Sequence, residues 1–290
     1  MANISRQIKR RILTTSNISK ITKAMEMVAA SKMRKAQAQA LKNRAFARAI
    51  ENSLKNVAAH TDANLHPLLA QHAAGKDVLI VISTNKGLCG GLNTNLFRQL
   101  NNWSQQHKNP AIIAVGKKAV QFVRKTSLDL LAEFISIPEH VNAADTTVVS
   151  SLIIEKFLNK EFKSVNILYM DFISTISQTV RITRLLPIAQ EKTEEKVLDF
   201  MPTIKEEYIF EPNAKAILNS LLPYYVENTI YQIFLEAKAS EHSARMVTMK
   251  NASENAQELV GELKLILNKS RQASITSELL DITTAAMTLS

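Results

Sequence analysis

Glycine and proline are absent from the first 66 residues, and this absence constrains the fold more than any other feature. The six glycines and seven prolines all lie between Pro67 and Gly261. Both residue types interrupt helices, glycine through its backbone entropy and proline through its missing N–H group. Residues 23–48 are rich in Ala, Lys, Arg, Met and Gln, which favour helix. We therefore predict one helix from about Ser5 to about Ala59, roughly 80 Å long at 1.5 Å per residue.

Apolar or small residues recur every three or four positions along this segment, which is the spacing of one helical face. The residues between them are mostly polar or basic, so the predicted helix has a single face for packing. This stripe comprises Ile4, Ile8, Ile12, Thr15, Ile18, Thr22, Met25, Val28 or Ala29, Met33 and Ala36.

A second long helix is predicted at the other end of the chain, where only Gly261 interrupts residues 224–290 and Pro212-Asn213 marks a start. Long helices gain most of their stability from packing, so we expect the two to pair as an antiparallel coiled coil. The second would then overhang the first by about 20 residues, or about 30 Å, and its tip would need a foreign surface. Its stripe comprises Ile217, Leu221, Tyr225, Asn228, Leu235, Met246, Met249, Ala256, Leu259, Leu263 and Leu267.

The middle segment has the pattern of a central α/β domain with a mainly parallel, Rossmann-like sheet. Strands alternate with helices of 10–15 residues, which indicates βαβ units covered on both faces. Residues 178–188 predict a fifth strand, antiparallel at an edge. The other strands are predicted at 77–83, 111–115, 130–137 and 165–170, and the helices at about 94–107, 117–125 and 145–160.

The predicted domains follow from these elements. Residues 1–60 form the N-terminal coiled-coil helix, 61–76 a linker, 77–212 the central α/β domain and 213–290 the C-terminal coiled-coil helix. Within the central domain, the charged and proline-containing residues 190–212 predict a solvated return to the second long helix.

Several kinds of chemistry have no support in the sequence. The single cysteine, Cys89, excludes an internal disulfide and a multi-cysteine zinc site. The six histidines show no i, i+4 pair and no H-E-x-x-H spacing, so we expect no metal site. No run of about 18 apolar residues is present, so a membrane role would have to be peripheral. We expect no catalytic residues and no cofactor.

The most enzyme-like feature is the turn Gly87-Leu88-Cys89-Gly90-Gly91, directly after the first predicted strand. A doubly wound fold would bind phosphate there. The turn matches neither G-x-G-x-x-G nor G-x-x-x-x-G-K-[ST]. We therefore interpret Gly87, Gly90 and Gly91 as a structural turn in which a glycine needs a positive φ. The alternative, an autonomous nucleotide enzyme, requires ATP binding by the isolated chain.

The positive charge of the chain is concentrated at its N-terminus. Residues 1–60 hold 13 Lys or Arg against two acids, whereas the remaining residues are nearly neutral. This asymmetry indicates an acidic partner. The basic residues could follow a nucleic-acid backbone, although residues 1–45 contain no aromatic side chain for stacking. An acidic protein surface explains the pattern equally well.

Aromatic residues are missing from residues 1–45 and 235–290. Fixed interfaces usually contain aromatic anchors, whereas these ends offer mainly Met, Ala, Ser and Thr. Ordinary coiled-coil packing would favour the same small and aliphatic residues. We hypothesise that the two ends slide inside a protein sleeve. The methionines concerned are Met25, Met27, Met33, Met246, Met249 and Met287.

Three motifs carry a family resemblance that spans the chain in order. Residues 21–35 (ITKAMEMVAASKMRK) closely resemble the N-terminal helix of F-type ATP synthase gamma subunits. The turn at 87–93 (GLCGGLN) and the run at 268–282 (NKSRQASITSELLDI) resemble the same family. One departure is visible, since Ala285-Ala286 stands where the family usually has Gly-Ala.

The resemblance implies a non-catalytic rotor shaft. Gamma subunits are eccentric axles inside a hexamer of three alpha and three beta subunits, and their middle domain rests with the epsilon subunit on the c-ring. Proton flow turns the ring and the axle together, and this rotation couples proton flow to ATP synthesis. The implied partners are therefore the alpha, beta and epsilon subunits and the c-ring, and neither nucleic acid nor a direct membrane span is expected. A basic coiled-coil nucleic-acid-binding protein is the alternative.

The resemblance also implies contact residues and a location. Lys20, Lys23 and Met25 are expected to approach the acidic loop at the base of beta. Because the family's helix begins almost at the first residue, we expect no organelle presequence. We therefore expect a bacterial protein, peripheral at the cytoplasmic face of the plasma membrane. The upper contact with the hexamer is expected from Arg271, Gln272 and Thr276.

Overall fold

The computed structural model describes residues 2–59, 66–188 and 213–289. They form two compact units, which we call the α/β unit (Lys32–Ala244) and the two-helix unit (Met1–Ser31 with Arg245–Ser290). Two long helices, α1 (Ala2–Ala59) and α5 (Ala214–Leu289), contribute residues to both units. The predicted solvated return at 190–212 and part of the predicted linker lie outside the described residues.

The α/β unit contains a five-stranded sheet in the order β3-β2-β1-β4-β5. Strands β1 to β4 are parallel, and β5 pairs antiparallel with β4 at the edge. The predicted fold class is therefore confirmed. The strands are β1 (Lys76–Ile82), β2 (Pro110–Val115), β3 (Asp129–Phe134), β4 (Phe162–Phe172) and β5 (Gln178–Leu186). The shorter helices are a 3-10 turn (Pro67–Leu69), α2 (Leu92–Gln106), α3 (Lys117–Lys125) and α4 (Ala143–Leu158).

Both faces of the central strands β1 and β2 are covered, and successive residues of each strand point to opposite faces. Ile80 and Ile113 pack with Phe157 of α4 and Phe234 of α5 in one apolar core. Leu79 and Val81 belong to a second core with α2 and α3, which includes Leu96, Leu100 and Trp103. Continuous burial explains why β1 and β2 read as unbroken β-branched runs rather than alternating ones.

Helix α5 begins where the sequence predicts it. The side chain of Asn213 accepts a hydrogen bond from the backbone N–H of Ala216 at 2.8 Å, which satisfies one of the unpaired donors of the first turn. The next 31 residues, 214–244, belong to the α/β unit, where Leu218, Leu222, Val226 and Ile230 are fully buried. This part of α5 is therefore a core element of the α/β unit.

In the two-helix unit, α1 and α5 run antiparallel. Ser5 faces Ser270, and Ser19 faces Ser253. The Ser19 hydroxyl donates to the carbonyl of Ser253 at 3.3 Å, and the Ser253 hydroxyl donates to the carbonyl of Ser19 at 3.2 Å. Beyond the end of α1, α5 extends by about 16 residues, or roughly 24 Å. The predicted overhang is therefore present and slightly shorter than expected.

The inward face of α1 differs from the predicted stripe at Ile18, which is 48% exposed, whereas its neighbour Ser19 is buried. Of the two alternatives that the stripe offered at positions 28 and 29, Ala29 is buried and Val28 is exposed. Small residues occupy these positions because a bulky side chain would hold the helices apart. The close approach lets the hydroxyls of Ser19 and Ser253 each form a hydrogen bond with the other residue's backbone carbonyl. On α5, Leu259 of the predicted stripe is likewise exposed.

Candidate functional site

The glycine-rich turn joins β1 to α2 and is held together by its own side chains. Gly90 has a φ of 60°, whereas the second positive φ in the turn is at Leu88 rather than at Gly87 or Gly91. Gly91 is the N-cap of α2 with a φ of −80°. The amide of Asn93 donates to the Thr84 hydroxyl at 2.8 Å, and that hydroxyl donates to the carbonyl of Lys86 at 2.7 Å. These bonds give the turn a fixed shape.

The start of α3, the second place for a phosphate in such a fold, has its donors already engaged. The backbone N–H of Lys117 donates to the Asn85 side chain at 2.9 Å, and that of Ala119 donates to the Ser83 hydroxyl at 2.8 Å. The N–H of Lys118 donates to the carbonyl of Thr84 at 3.2 Å. Helix N-termini bind anions through free N–H groups, and protein acceptors occupy these three.

Gly116 shows how closely the loops approach one another at this edge. Its φ of 90° is a backbone conformation that glycine adopts readily and other residues rarely adopt. An added Cβ would lie 2.5 Å from the carbonyl oxygen of Ser83. The glycine therefore serves the approach of β1 to β2, and the arrangement favours a structural role over a nucleotide site.

Cysteine and histidine side chains have structural surroundings. Cys89 is buried, and the Asn93 amide lies 3.4 Å from its sulfur. His66 accepts the backbone N–H of Leu68 at 3.1 Å, and burial lowers the pKa of its ring. His107 stacks on Trp103, with ring centroids 4.0 Å apart. Among the described residues, no three His, Cys, Asp or Glu side chains come together as a metal site.

The basic residues of α1 lie on the face that points away from α5 in the two-helix unit. Lys20 and Lys23 are exposed, and the Lys23 ammonium lies 3.0 Å from the Glu26 carboxylate one turn ahead. Met25, the third predicted contact, is half-buried on the inward face with Thr22 and Ala29. The two lysines are therefore exposed, whereas Met25 is turned partly toward α5.

The sequence interpretation missed an exposed apolar group on α1. These residues lie among the basic ones and are each more than half exposed, so the exposed surface is basic and apolar together. Val28 was one of the two alternatives in the predicted stripe, and the other three lie outside that stripe. The group comprises Leu13, Ile21, Met27 and Val28.

The C-terminal part of α5 is exposed on all sides over its last turns. Arg271, Gln272 and Thr276 are exposed, and the Thr276 hydroxyl donates to the carbonyl of Gln272 at 3.0 Å within the helix. Large apolar side chains share this exposure. Clustered exposed apolar side chains of this kind are typical of interaction sites. The apolar residues are Ile275, Leu279, Leu280, Ile282 and Met287.

None of the helices in the described ranges has an apolar stretch of the length and character needed to cross a bilayer.

Comparisons with known proteins agree with this arrangement. The family model described as ATP synthase matches residues 5–289. A protein of Dehalococcoides mccartyi named ATP synthase gamma chain is 42% identical over all of both chains. The ATP synthase gamma chain of Desulforamulus reducens is 38% identical, over 98% of this chain and 99% of its own length.

Solved structures show the same fold. A chain of the central stalk and c-ring structure of the Tetrahymena thermophila mitochondrial ATP synthase matches with a TM-score of 0.61 and 26% identity, covering 80% of this chain and 99% of its own. A chain of the Euglena gracilis mitochondrial ATP synthase in rotational state 3 matches with a TM-score of 0.68 and 20% identity, covering 99% of this chain and 95% of its own. The family match, the full-length relatives and the shared fold agree, and the chain belongs to the ATP synthase gamma chain family.

Proposed function

We propose that this chain is the central rotor shaft of an F1Fo ATP synthase and couples proton flow through a c-ring to ATP synthesis in a hexamer of alpha and beta subunits. The observation that carries the proposal is the full-length family match together with a two-helix unit that exposes basic and large apolar side chains. The chain acts mechanically and leaves the chemistry to the hexamer.

The outward face of α1 is suited to an acidic and apolar partner. Lys20 and Lys23 supply charge there, and Ile21 and Val28 supply apolar area at neighbouring positions. Opposite charges across an interface accelerate encounter and fix orientation more than they add affinity. A contact of this kind can be made and broken at each step of a turn. We assign the face to the acidic loop at the base of beta.

The protruding end of α5 is suited to a sleeve. Its exposed apolar residues lie on several sides of the helix, and residues 282–289 carry no charge. Small and flexible side chains fit such a surface without locking into a pocket. We assign Arg271, Gln272 and Thr276 to the upper contact with the hexamer and the residues beyond them to its apolar bearing.

Coupling follows from unequal contacts around the shaft. One side of the two-helix unit presents α1 with its lysines, and another presents α5 with Glu254, Glu258 and Glu262, which are exposed one turn apart. A partner can shift an equilibrium between conformations only by the difference in its affinity for them. A shaft with a basic and an acidic side therefore gives each of the three beta subunits a different contact at any moment.

The α/β unit is assigned to the epsilon subunit and the c-ring. The chain would thus be a peripheral part of a membrane-associated complex. We place it at the cytoplasmic face of a bacterial plasma membrane, on the basis of its similarity to bacterial relatives.

Co-purification tests the assignment. A tagged chain should retain alpha and beta subunits together with ATP hydrolysis, since the hexamer encloses the shaft. Family membership gives the nucleic-acid alternative no support, and retention of DNA or RNA without these subunits, reversed by salt, would contradict the proposal.

The basic face has its own test. Lys23→Glu should lower ATP-driven proton pumping more than it lowers the amount of assembled complex, because it reverses a charge toward beta and leaves the helix intact. Lys23→Arg is the matched control and should pump normally, since it keeps the charge. Normal pumping in Lys23→Glu would remove the assigned role.

A further inference from the structure

The carboxyl edge of the parallel sheet is the place where doubly wound folds bind their ligands. In this chain the long helices occupy it. We propose that charged side chains at this edge form a clamp that grips α1 and α5 and passes torque from the α/β unit into the shaft. The proposal rests on the proposed function. The carboxyl-edge clamp consists of Lys32, Lys86, Glu139, Lys238 and Glu241.

The grip on α1 depends on Glu139. This residue lies in the loop between β3 and α4, and its carboxylate accepts a hydrogen bond from the Lys32 ammonium of α1. The ammonium of Lys86, in the glycine-rich turn after β1, lies 3.8 Å from the same carboxylate. One acid thus joins two carboxyl-edge loops to a long helix. Lys32 is the α1 residue at which the α/β unit begins.

A pair of hydrogen bonds from a neutral side chain supports the same loop two turns further along α1. The amide of Gln39 donates to the carbonyl of Val141 at 3.2 Å and to the hydroxyl of Tyr231 at 2.8 Å. Gln39 belongs to α1, Val141 to the loop and Tyr231 to α5. A single side chain therefore ties both long helices to the loop that carries Glu139.

On the α5 side, the clamp contains an ion pair within the helix itself, between Lys238 and Glu241. The ammonium of Lys238 lies 3.2 Å from the carboxylate of Glu241, and the two side chains are only 13% and 9% exposed. Both line a small cavity with Ser83 and Thr84 at the end of β1. Lys238 also lines a cavity with Gly116 at the end of β2. The pair holds the Lys238 side chain of α5 against the ends of β1 and β2, at the carboxyl edge.

Further along α5, polar contacts continue the grip at the hairpin between β4 and β5. The Ser243 hydroxyl donates to the carbonyl of Thr175 at 2.6 Å, and the Gln178 amide lies 3.5 Å from the same hydroxyl. Residues 240–243 are all buried, although their sequence is Ser-Glu-His-Ser. Of these four residues, Ser243 carries the polar contacts to the hairpin.

Directional contacts explain why charges stand where apolar residues would add more stability. Buried ion pairs contribute little net stability because of the cost of removing charges from water, but they fix geometry. An apolar helix surface can slip or rotate against its partner, whereas charge-assisted hydrogen bonds hold one angle. A shaft that transmits torque needs resistance to twisting at the point where the α/β unit holds it.

The test uses the assembled complex and measures protons pumped per ATP hydrolysed. Lys32→Glu should lower this ratio by about two-fold or more, since it sets two acids against each other. Glu139→Gln, which keeps the shape of the side chain, should lower it less. The charge exchange Lys32→Glu with Glu139→Lys should restore part of the ratio, because it re-forms the pair with α1 but places the new lysine beside Lys86; a general loss of structure would allow no restoration.

The matched control is the Arg124–Glu133 pair, which joins α3 to β3 within the α/β unit at 2.7 Å. Arg124→Glu should leave the ratio unchanged. An unchanged ratio in both Lys32→Glu and Glu139→Gln overturns the clamp, and so does a loss that the charge exchange fails to restore. If the unaltered chain forms no complex with alpha and beta subunits, the proposed function itself fails, and the two failures are thereby distinguished.

Discussion

Replacement of Gly116 by alanine should destabilise the α/β unit strongly. The residue has φ 90° and ψ 148°, a region that is nearly exclusive to glycine and costs other residues about 1–3 kcal/mol. The new Cβ would also lie 2.5 Å from the backbone oxygen of Ser83, which cannot swing away as a side chain can. Relief of that overlap costs about 1–3 kcal/mol more. The expected loss in unfolding free energy is therefore about 2–6 kcal/mol.

Urea denaturation followed by tryptophan fluorescence measures this loss. Trp103 is the single tryptophan and is 5% exposed in the core between the sheet and α2, so its emission reports on the α/β unit. Gly87→Ala is the matched control, because no atom lies within 4 Å of the added Cβ. Its transition should lie within about 0.5 kcal/mol of the unaltered protein. A Gly116→Ala protein that is as stable as this control would refute the structural role of Gly116.

Three further predictions concern the two-helix unit and the clamp. Ser19→Leu should lower the stability of the helix pair by about 1–3 kcal/mol in circular dichroism melts, because Ser19 is buried against Ser253, whereas Ile18→Ala should have a smaller effect; equal effects would mean that the inward face is misassigned. Ala285→Trp should slow turnover of the assembled complex, because a sleeve around a small side chain leaves no room for an indole, and Ala285→Ser should not; undiminished turnover in Ala285→Trp would contradict the sliding hypothesis. The hydrogen bond from Lys32 and the charges of Lys32, Lys86 and His242 lower the pKa of Glu139. Ionised Glu139 should therefore contribute about 0–1 kcal/mol to the unfolding free energy at about pH 7, and this contribution should disappear as the pH falls through the lowered pKa. If the loss of unfolding free energy caused by Glu139→Gln instead grew on acidification, the assigned direction of the pKa shift would be wrong.

The strands and shorter helices were predictable because their patterns of apolar residues differ sharply. Strand β1 is an unbroken apolar run, and α3 matches its predicted bounds of 117–125. The antiparallel edge position of β5 also agrees with the prediction. Local pattern sufficed for these elements because each buries its apolar residues against the nearest layer.

The inward face of α1 was less predictable because a 3.6-residue period leaves adjacent residues almost equally placed. Hydrophobicity alone predicts that Ile18, rather than its neighbour Ser19, faces the partner helix. The reciprocal hydrogen bonds with Ser253 decide otherwise, and Ser253 is 234 residues away in the sequence. No pattern within one helix contains that information.

The clamp could not be predicted for the same reason. Lys32 and Glu139 are 107 residues apart, and each resembles an ordinary surface charge in its own segment. The buried Ser240-Glu241-His242-Ser243 run offered a local signal, since four polar residues in the middle of an apolar stripe are unusual. Its meaning depends on which loops the tertiary fold brings beside it.

Direct observation of rotation tests the central claim. Cys89 is the only cysteine and is buried, so a probe can be attached to Gln106→Cys at the exposed end of α2. In a complex whose alpha and beta subunits are fixed to a surface, the account predicts that the probe turns in one direction during ATP hydrolysis, with three stops per turn that correspond to the three beta subunits. A probe that remains stationary while the same complexes hydrolyse ATP would contradict the account.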